Sequence, residues 1–257
     1  PYDSVSKAKK LDRTASKWHK SLNGQWKFHW AKDPASRPAD FYKPNFDVSK
    51  WNDITVPANW QLEGFGVPVY TNDTYPFKKD PPFVMGTPPE HYTNFKHRNP
   101  VGSYRTTFKI PHKWDEREIF IMFDGVDSAF YLWINGQKVG YSQDSRTPAE
   151  FNITQYLKEG ENTLAAEVYR YSDGSYLEDQ DFWRLSGIYR NVYLYAAPKL
   201  QIRDFFVNTD LDDDYLDAHL WIKALIHNWS NQKQHKYDIC ARLFDANGEE
   251  IEIHSTA

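Results

Sequence analysis

Ala129-Phe-Tyr-Leu-Trp-Ile-Asn-Gly-Gln-Lys-Val-Gly-Tyr141 reads as two strands folded back on each other. An apolar, ring-rich run climbs to Asn135-Gly136, and a second strand pattern leaves it. A two-residue type I′ turn needs φ > 0 at both central positions, which Asn and Gly adopt at least cost, so this is the clearest hairpin signal in the chain. Strands recur on either side of it. Glu118–Phe123 is a near-continuous apolar run, and Asn162–Tyr169 and Ile188–Tyr195 carry further strand patterns. Upstream, Gln25–Trp30 alternates strictly, placing Trp26, Phe28 and Trp30 on one face with Lys27 and His29 on the other. Arg105–Ile110 continues the pattern, and Phe151–Leu157 reads as a strand end followed by a helical turn. Short strands with a turn every dozen or so residues predict an all-β sandwich or jelly roll, with at most a short helix in the first twenty or so residues.

The composition agrees with that class. The chain has 257 residues, 40% hydrophobic and 17% aromatic, enough to bury a core in one or two domains. Rings at that frequency suit a pleated surface. A net charge of −4 with both signs interspersed gives no electrostatic footprint for nucleic acid or an anionic membrane. No apolar run approaches the roughly 18–20 residues of a membrane span, and the N-terminal region has no apolar signal core. A cytoplasmic protein is therefore expected. The three Asn-x-Ser/Thr sequons, at Asn72, Asn152 and Asn228, read as chance matches in that setting. The single cysteine, Cys240, excludes an internal disulfide and sits in an alternating Tyr237–Leu243 pattern that predicts a buried core thiol. His91, His97 and His112 lack metal-ligand spacing.

Two segments depart from the strand rhythm. Residues 64–103 repeat proline, which withholds ladder donors, yet hold Phe65, Tyr70, Tyr75, Phe77 and Phe83; rings in such number predict a packed functional loop. Tyr171-Ser-Asp-Gly-Ser-Tyr-Leu-Glu-Asp-Gln-Asp-Phe-Trp-Arg-Leu-Ser-Gly-Ile-Tyr-Arg190 packs acids among rings. After Pro198 the pattern restarts with strands over Gln201–Val207, Tyr215–Ile226, Tyr237–Phe244 and Glu250–His254, parted by the acidic turn Asp210–Asp214 and by Asp245–Gly248. Four strands are fewer than the roughly seven that close a sandwich of about 100 residues, so a truncated second domain is expected, and Pro1 in place of an initiator methionine suggests a fragment. The expected organisation is a first domain over residues 1–197 and the start of a second over 198–257.

Seven motifs then occur in an order that carries a resemblance: Ser21–Phe28, Val56-Pro-Ala-Asn-Trp-Gln61, Tyr70-Thr-Asn-Asp-Thr-Tyr-Pro76, Asn99–Arg105, Phe123–Phe130, Val139–Arg146 and the acid-rich stretch from Tyr171. Together they resemble the β-galactosidases of glycoside hydrolase family 2, the large bacterial, lactobacillus-type subunits in particular. The likeness is dense over residues 15–197 and looser beyond. It implies a jelly-roll sugar-binding domain, then a partial immunoglobulin-like sandwich, with a catalytic (β/α)₈ barrel elsewhere in the same polypeptide. Retaining hydrolysis needs two carboxyl groups about 5–5.5 Å apart, and the resemblance places that pair in the barrel; this chain shows no βαβα alternation, so no catalytic residue is expected in it. Glu178, Asp179 and Asp181 are expected to hydrogen-bond loop backbone or to pair with Arg184, Arg190 or Arg146.

Read locally, Asp173 in Ser-Asp-Gly is a turn cap and Asn72 a loop turn. The resemblance implies more. Asp173 matches an aspartate that binds a monovalent cation, normally sodium, and the sugar 6-hydroxyl, as suits a hard oxygen ligand; Gly174 after it would permit φ > 0 and a close backbone approach. Asn72 matches an asparagine whose amide bonds sugar hydroxyls, donating and accepting as they do. The Mg²⁺ ligands of such enzymes lie in the barrel. The implied activity is hydrolysis of terminal non-reducing β-D-galactosides such as lactose, by an oligomer and in some members with a small subunit. A stand-alone carbohydrate-binding or assembly module, and a related β-glucuronidase or β-mannosidase, remain open at this point.

Overall fold

The computed structural model describes residues 1–92 and 95–252. The chain divides into two units, Pro1–Pro198 and Lys199–Ala257. In the first, the strands in chain order are β1 (His19–Ser21), β2 (Gly24–Ala31), β3 (Asn52–Val56), β4 (Val69–Thr71), β5 (Val101–Lys109), β6 (Glu118–Phe123), β7 (Val126–Asp127), β8 (Ala129–Ile134), β9 (Gln137–Gln143), β10 (Ala149–Asn152), β11 (Glu161–Tyr169), β12 (Phe182–Arg184), β13 (Gly187–Ile188) and β14 (Val192–Ala197). They form a four-stranded sheet, β1-β14-β6-β10, and a six-stranded sheet, β3-β2-β5-β11-β8-β9, all antiparallel, with two short ribbons, β4–β12 and β7–β13. A four-residue helix, Val5–Ala8, lies in the N-terminal region.

The core lies between the two sheets. Ile119, Ile121 and Phe123 of β6 and Val192, Leu194 and Ala196 of β14 meet Trp26 and Phe28 of β2, Tyr104 of β5, Leu132 and Ile134 of β8, and Leu164, Ala166 and Val168 of β11. The period-2 reading of Gln25–Trp30 holds: Trp26 and Phe28 are buried and Trp30 packs against the same cluster. Each buried ring contributes about 2–3 kcal/mol by leaving water, which is why rings dominate the composition. They pack edge-on or tilted: Phe28 lies 4.6 Å from Tyr104 and 4.8 Å from Phe65 between ring centroids.

The six-stranded sheet is covered on its second face too. Residues 32–51 cross it, burying Phe41 against Trp133 and Trp51. The Arg105 guanidinium donates to the carbonyls of Phe41 and Lys43. Ala165 and Glu167 of β11 are consequently buried, and the Glu167 carboxylate is met by Arg37 Nε at 3.2 Å and the Tyr169 hydroxyl at 2.6 Å.

The hairpin of β8 and β9 turns at Asn135 and Gly136, with φ of 51° and 82°. The turn is also stapled to β11. Thr163 N–H donates to Asn135 Oδ1 at 2.9 Å, and Asn135 Nδ2 donates to Asn162 Oδ1 at 2.7 Å and to the Tyr156 carbonyl at 2.9 Å.

In the second unit, β15 (Leu200–Leu211) and β16 (Ala218–Asn228) form a long hairpin, and β17 (Leu243–Phe244) pairs with β18 (Glu250–Ile251). Three expectations need correcting. Tyr215 to Asp217 belong to the turn, because Asp212 caps it by accepting N–H bonds from Leu216 and Asp217. The strand expected over Tyr237–Phe244 is present only at its last two residues, and Cys240 is exposed. Alternation buries a side chain only where a neighbouring strand covers that face, and among the described residues none pairs with 237–242. The strand expected at Glu250–His254 is seen at Glu250 and Ile251, with residues 253 and 254 outside the described residues.

Gly102 tests this packing. A Cβ there would lie 2.7 Å from Trp60 Cζ3 and 2.8 Å from Phe28 Cε2, so Gly102→Ala is expected to overpack the core and cost about 1–3 kcal/mol. Urea unfolding should show a lower midpoint with an unchanged slope.

Candidate functional site

Strand β11 ends by delivering the chain to a fixed point. Arg170 N–H donates to the Pro100 carbonyl at 3.0 Å. Asn99, held at φ 61°, then acts as a two-atom strand: its Nδ2 donates to the Tyr171 carbonyl at 3.0 Å and its Oδ1 accepts the Tyr171 N–H at 2.8 Å. From there Asp173–Tyr176 makes one 3₁₀ turn, closed by Ser172 N–H to Ser175 Oγ at 3.1 Å and Leu177 N–H to the Gly174 carbonyl at 2.9 Å. Asp173 stands exposed at the start of that turn, its Oδ1 accepting Gly174 N–H at 3.0 Å. The positive φ expected for Gly174 is absent; it sits within the 3₁₀ turn, where an ordinary helical φ serves.

The proline-rich excursion packs on this segment. Tyr75 OH donates to the Tyr176 carbonyl, Asp80 N–H donates to Tyr176 OH at 2.9 Å, and that hydroxyl donates on to the Phe83 carbonyl at 2.7 Å. The Phe77 ring lies 5.3 Å from both Tyr171 and Tyr176. Phe77 is buried and Phe65 packs on the core, whereas Tyr70 and Phe83 are exposed. Within the excursion, β4 pairs with β12, Thr71 opposite Phe182 and Tyr70 opposite Trp183. Asn72 follows β4 directly, exposed, with Oδ1 accepting Asp73 N–H at 2.9 Å. The two segments carrying Asn72 and Asp173 are therefore joined by backbone and ring contacts, and both side chains sit at the surface.

The neighbouring acids are taken up by partners within the chain. Glu178 accepts Ser145 N–H at 2.7 Å and Ser145 O–H at 2.8 Å. Asp179 pairs with Arg184, and Asp181 accepts the Tyr70 hydroxyl at 2.6 Å. Arg190 donates to the carbonyls of Asp124 and Arg146. Among the described residues no three His, Cys, Asp or Glu side chains gather as a metal site. His97 packs edge-on to Trp30, and burial with Arg170 nearby lowers its pKa.

Asp127 was not singled out by sequence. It lies on β7 beneath the acid-rich loop, 9% exposed, with Arg146 Nη2 3.4 Å away. Burial raises its pKa to about 7; Arg146 works against the rise, and the Glu178 carboxylate adds to it. Asp127, Arg170, Tyr171, Glu178, Phe182 and Arg184 line a small cleft. The quoted stretch Phe123-Asp-Gly-Val-Asp-Ser-Ala-Phe130 was the one available signal, but its burial is a tertiary effect.

Comparison with known proteins adds to this geometry. Residues 19–198 match the family described as glycosyl hydrolases family 2, sugar binding domain. The β-galactosidase of Priestia megaterium is 48% identical over 255 residues, 98% of this chain and 24% of that protein. The β-galactosidase of Vibrio cholerae is 49% identical over 229 residues, 89% of this chain and 21% of that protein. The chain thus spans about a quarter of these relatives or less. Among solved structures, a calcium-binding mutant of Bacteroides uniformis β-glucuronidase 2 matches with a TM-score of 0.64 at 23% identity, over 91% of this chain and 25% of that one. A β-glycosidase from Bacteroides vulgatus matches with a TM-score of 0.61 at 24% identity, over 90% of this chain and 27% of that one. At those identities the likeness speaks for the fold, and it agrees with the all-β sandwich seen here.

Asp127 makes the cleft testable by pH. An unfolded aspartate ionises near pH ~3.9, well below the folded value of about 7. The folded state thus holds the proton more tightly, so the stabilisation from this group is full below about pH 4 and is lost as pH rises to about 7. Between pH 5 and pH 8 the native chain should lose about 2–3 kcal/mol more unfolding free energy than Asp127→Asn. Urea titrations at the two pH values give the comparison, and parallel losses would show that Asp127 ionises normally.

Proposed function

This chain belongs to glycosyl hydrolase family 2, and we propose that it forms one wall of the saccharide pocket of a retaining β-galactosidase acting on terminal non-reducing β-D-galactosides such as lactose. The observation that carries the reading is the packing of the Asn72 and Asp173 segments on each other, both side chains exposed, in a chain 48% identical over 98% of its length to a β-galactosidase. The Asn72 amide donates to one sugar hydroxyl and accepts from another. The Asp173 carboxylate takes the 6-hydroxyl and supplies one hard oxygen to a sodium ion. Its exposure and its local bond from Gly174 suit such a ligand, with further donors coming from outside the wall.

The acids within this chain hold loops. Glu178, Asp179 and Asp181 are each committed to a protein partner, which fits a division of labour in which the nucleophile and the acid/base, with any Mg²⁺ ligands, belong to a barrel elsewhere in the polypeptide. In this reading the enzyme is cytoplasmic and oligomeric, with or without a small subunit. No helix among the described residues is long and apolar enough to cross a membrane.

The test uses the intact polypeptide that carries this chain and a chromogenic β-galactoside. Asn72→Ala and Asp173→Ala should each raise KM by about 10-fold or more, the loss of one or two hydrogen bonds to substrate. Asp173→Ala should also abolish the response of KM to sodium. Turnover by the 257-residue chain alone, or an unchanged KM in both variants, would overturn the reading.

A further inference from the structure

We infer that Arg184 is a positioning residue for the saccharide wall, its guanidinium fixing where Asn72 stands relative to Asp173. The inference rests on the reading of that wall given above and deepens it.

Arg184 is 8% exposed and its guanidinium is shared among three partners. Nε donates to Thr71 Oγ1 at 2.9 Å, Nη1 to the Glu178 carbonyl at 2.9 Å, and Nη2 pairs with the Asp179 carboxylate. Thr71 is itself buried and immediately precedes Asn72. Glu178 and Asp179 close the loop that Asp173 opens. One planar fork therefore touches both segments, and its rigidity transmits position between them as a flexible side chain would not.

The far ends of the clamp are anchored. The Glu178 carboxylate is taken up by Ser145, so the carbonyl that receives Nη1 is held from behind. The Arg184 carbonyl accepts Arg170 Nη2 at 3.0 Å, and Arg170, 1% exposed, is tied through its own N–H to Pro100. The Phe182 ring lies 4.5 Å beneath the guanidinium carbon. Strand pairing holds this ribbon by three pairs, Val69–Arg184, Tyr70–Trp183 and Thr71–Phe182, and Asn72 lies just beyond the last of them. The side-chain bond to Thr71 Oγ1 reinforces the last of those pairs at the residue before Asn72.

Lysine at 184 keeps the charge but offers a single ammonium head, which cannot serve Thr71, Glu178 and Asp179 together. Thr71→Val is the gentler variant: it keeps shape and the β4–β12 ladder and removes only the acceptor for Nε. In the intact polypeptide, Thr71→Val and Arg184→Lys should raise KM for a chromogenic β-galactoside about 10-fold, with kcat within about twofold, the signature of misplaced binding groups rather than lost chemistry. In the 257-residue chain, ¹H–¹⁵N spectra of both variants should show shifts in the Asn72 side-chain amide and the Gly174 amide while the β5 and β11 amides stay in place. Unmoved Asn72 and Gly174 signals would overturn the inference whatever the kinetics show. So would moved signals with an unchanged KM, since the clamp would then place nothing that the substrate uses. If the unsubstituted polypeptide turns over no galactoside, the enzymatic reading fails and the amide shifts alone decide whether Arg184 sets the two segments.

Discussion

The sandwich depends on a strand that must be buried on both faces. Strand β11 lies between β5 and β8, its Leu164, Ala166 and Val168 facing the core and its Ala165 and Glu167 facing the covering segment 32–51. A carboxylate in that position is tolerable only because Arg37 and the Tyr169 hydroxyl meet it. With β11 immobilised, the residues that follow it start from a defined place. The Pro100 carbonyl and the Asn99 side-chain amide then hold the backbone of Arg170 and Tyr171, so the acid-rich loop inherits its origin from the core.

That inheritance explains how a loop can hold acids without using them for chemistry. Each of Glu178, Asp179 and Asp181 faces a donor from a different part of the chain: Ser145 after β9, Arg184 on β12 and Tyr70 on β4. The acids thus tie the loop to its surroundings at three points. Asp173 differs from them in being exposed and bonded only to the adjacent Gly174 among the contacts described. Two kinds of carboxylate therefore lie within nine residues, and their partners distinguish them where their spacing does not.

Much of this was legible in the order of residues. Alternation at Gln25–Trp30 and Asn135-Gly136 between strand patterns are local signals, and they located strands and a hairpin that the structure contains. Of the rings in the proline-rich excursion, Phe77 is buried as a packed loop requires, although alternation could not show that Tyr70 and Phe83 would face outward. Cys240 misled because alternation describes one strand, and burial requires a second element to cover it. Asp127 escaped notice for the converse reason: its perturbation comes chiefly from burial beneath a loop some fifty residues later in the chain, with the Glu178 carboxylate adding to it. Asn72 and Asp173 were reached through resemblance, since a lone Asn or Asp in a turn carries no local mark of what it binds.

The Asn135 turn bears on how the sheet finds its alignment. Its side chain is engaged by Thr163, Asn162 and Tyr156, so the tip of a locally formed hairpin also serves as a registration pin for the neighbouring strand. Were β11 to pair with β8 one residue out of step, the side-chain period of two would turn Asn162 to the wrong face. The pin would then find no socket, and the buried Asn162 amide would lose its bond from Asn135. A tight turn that any Asn-Gly pair could make thereby doubles as a proofreading contact for the widest sheet of the domain.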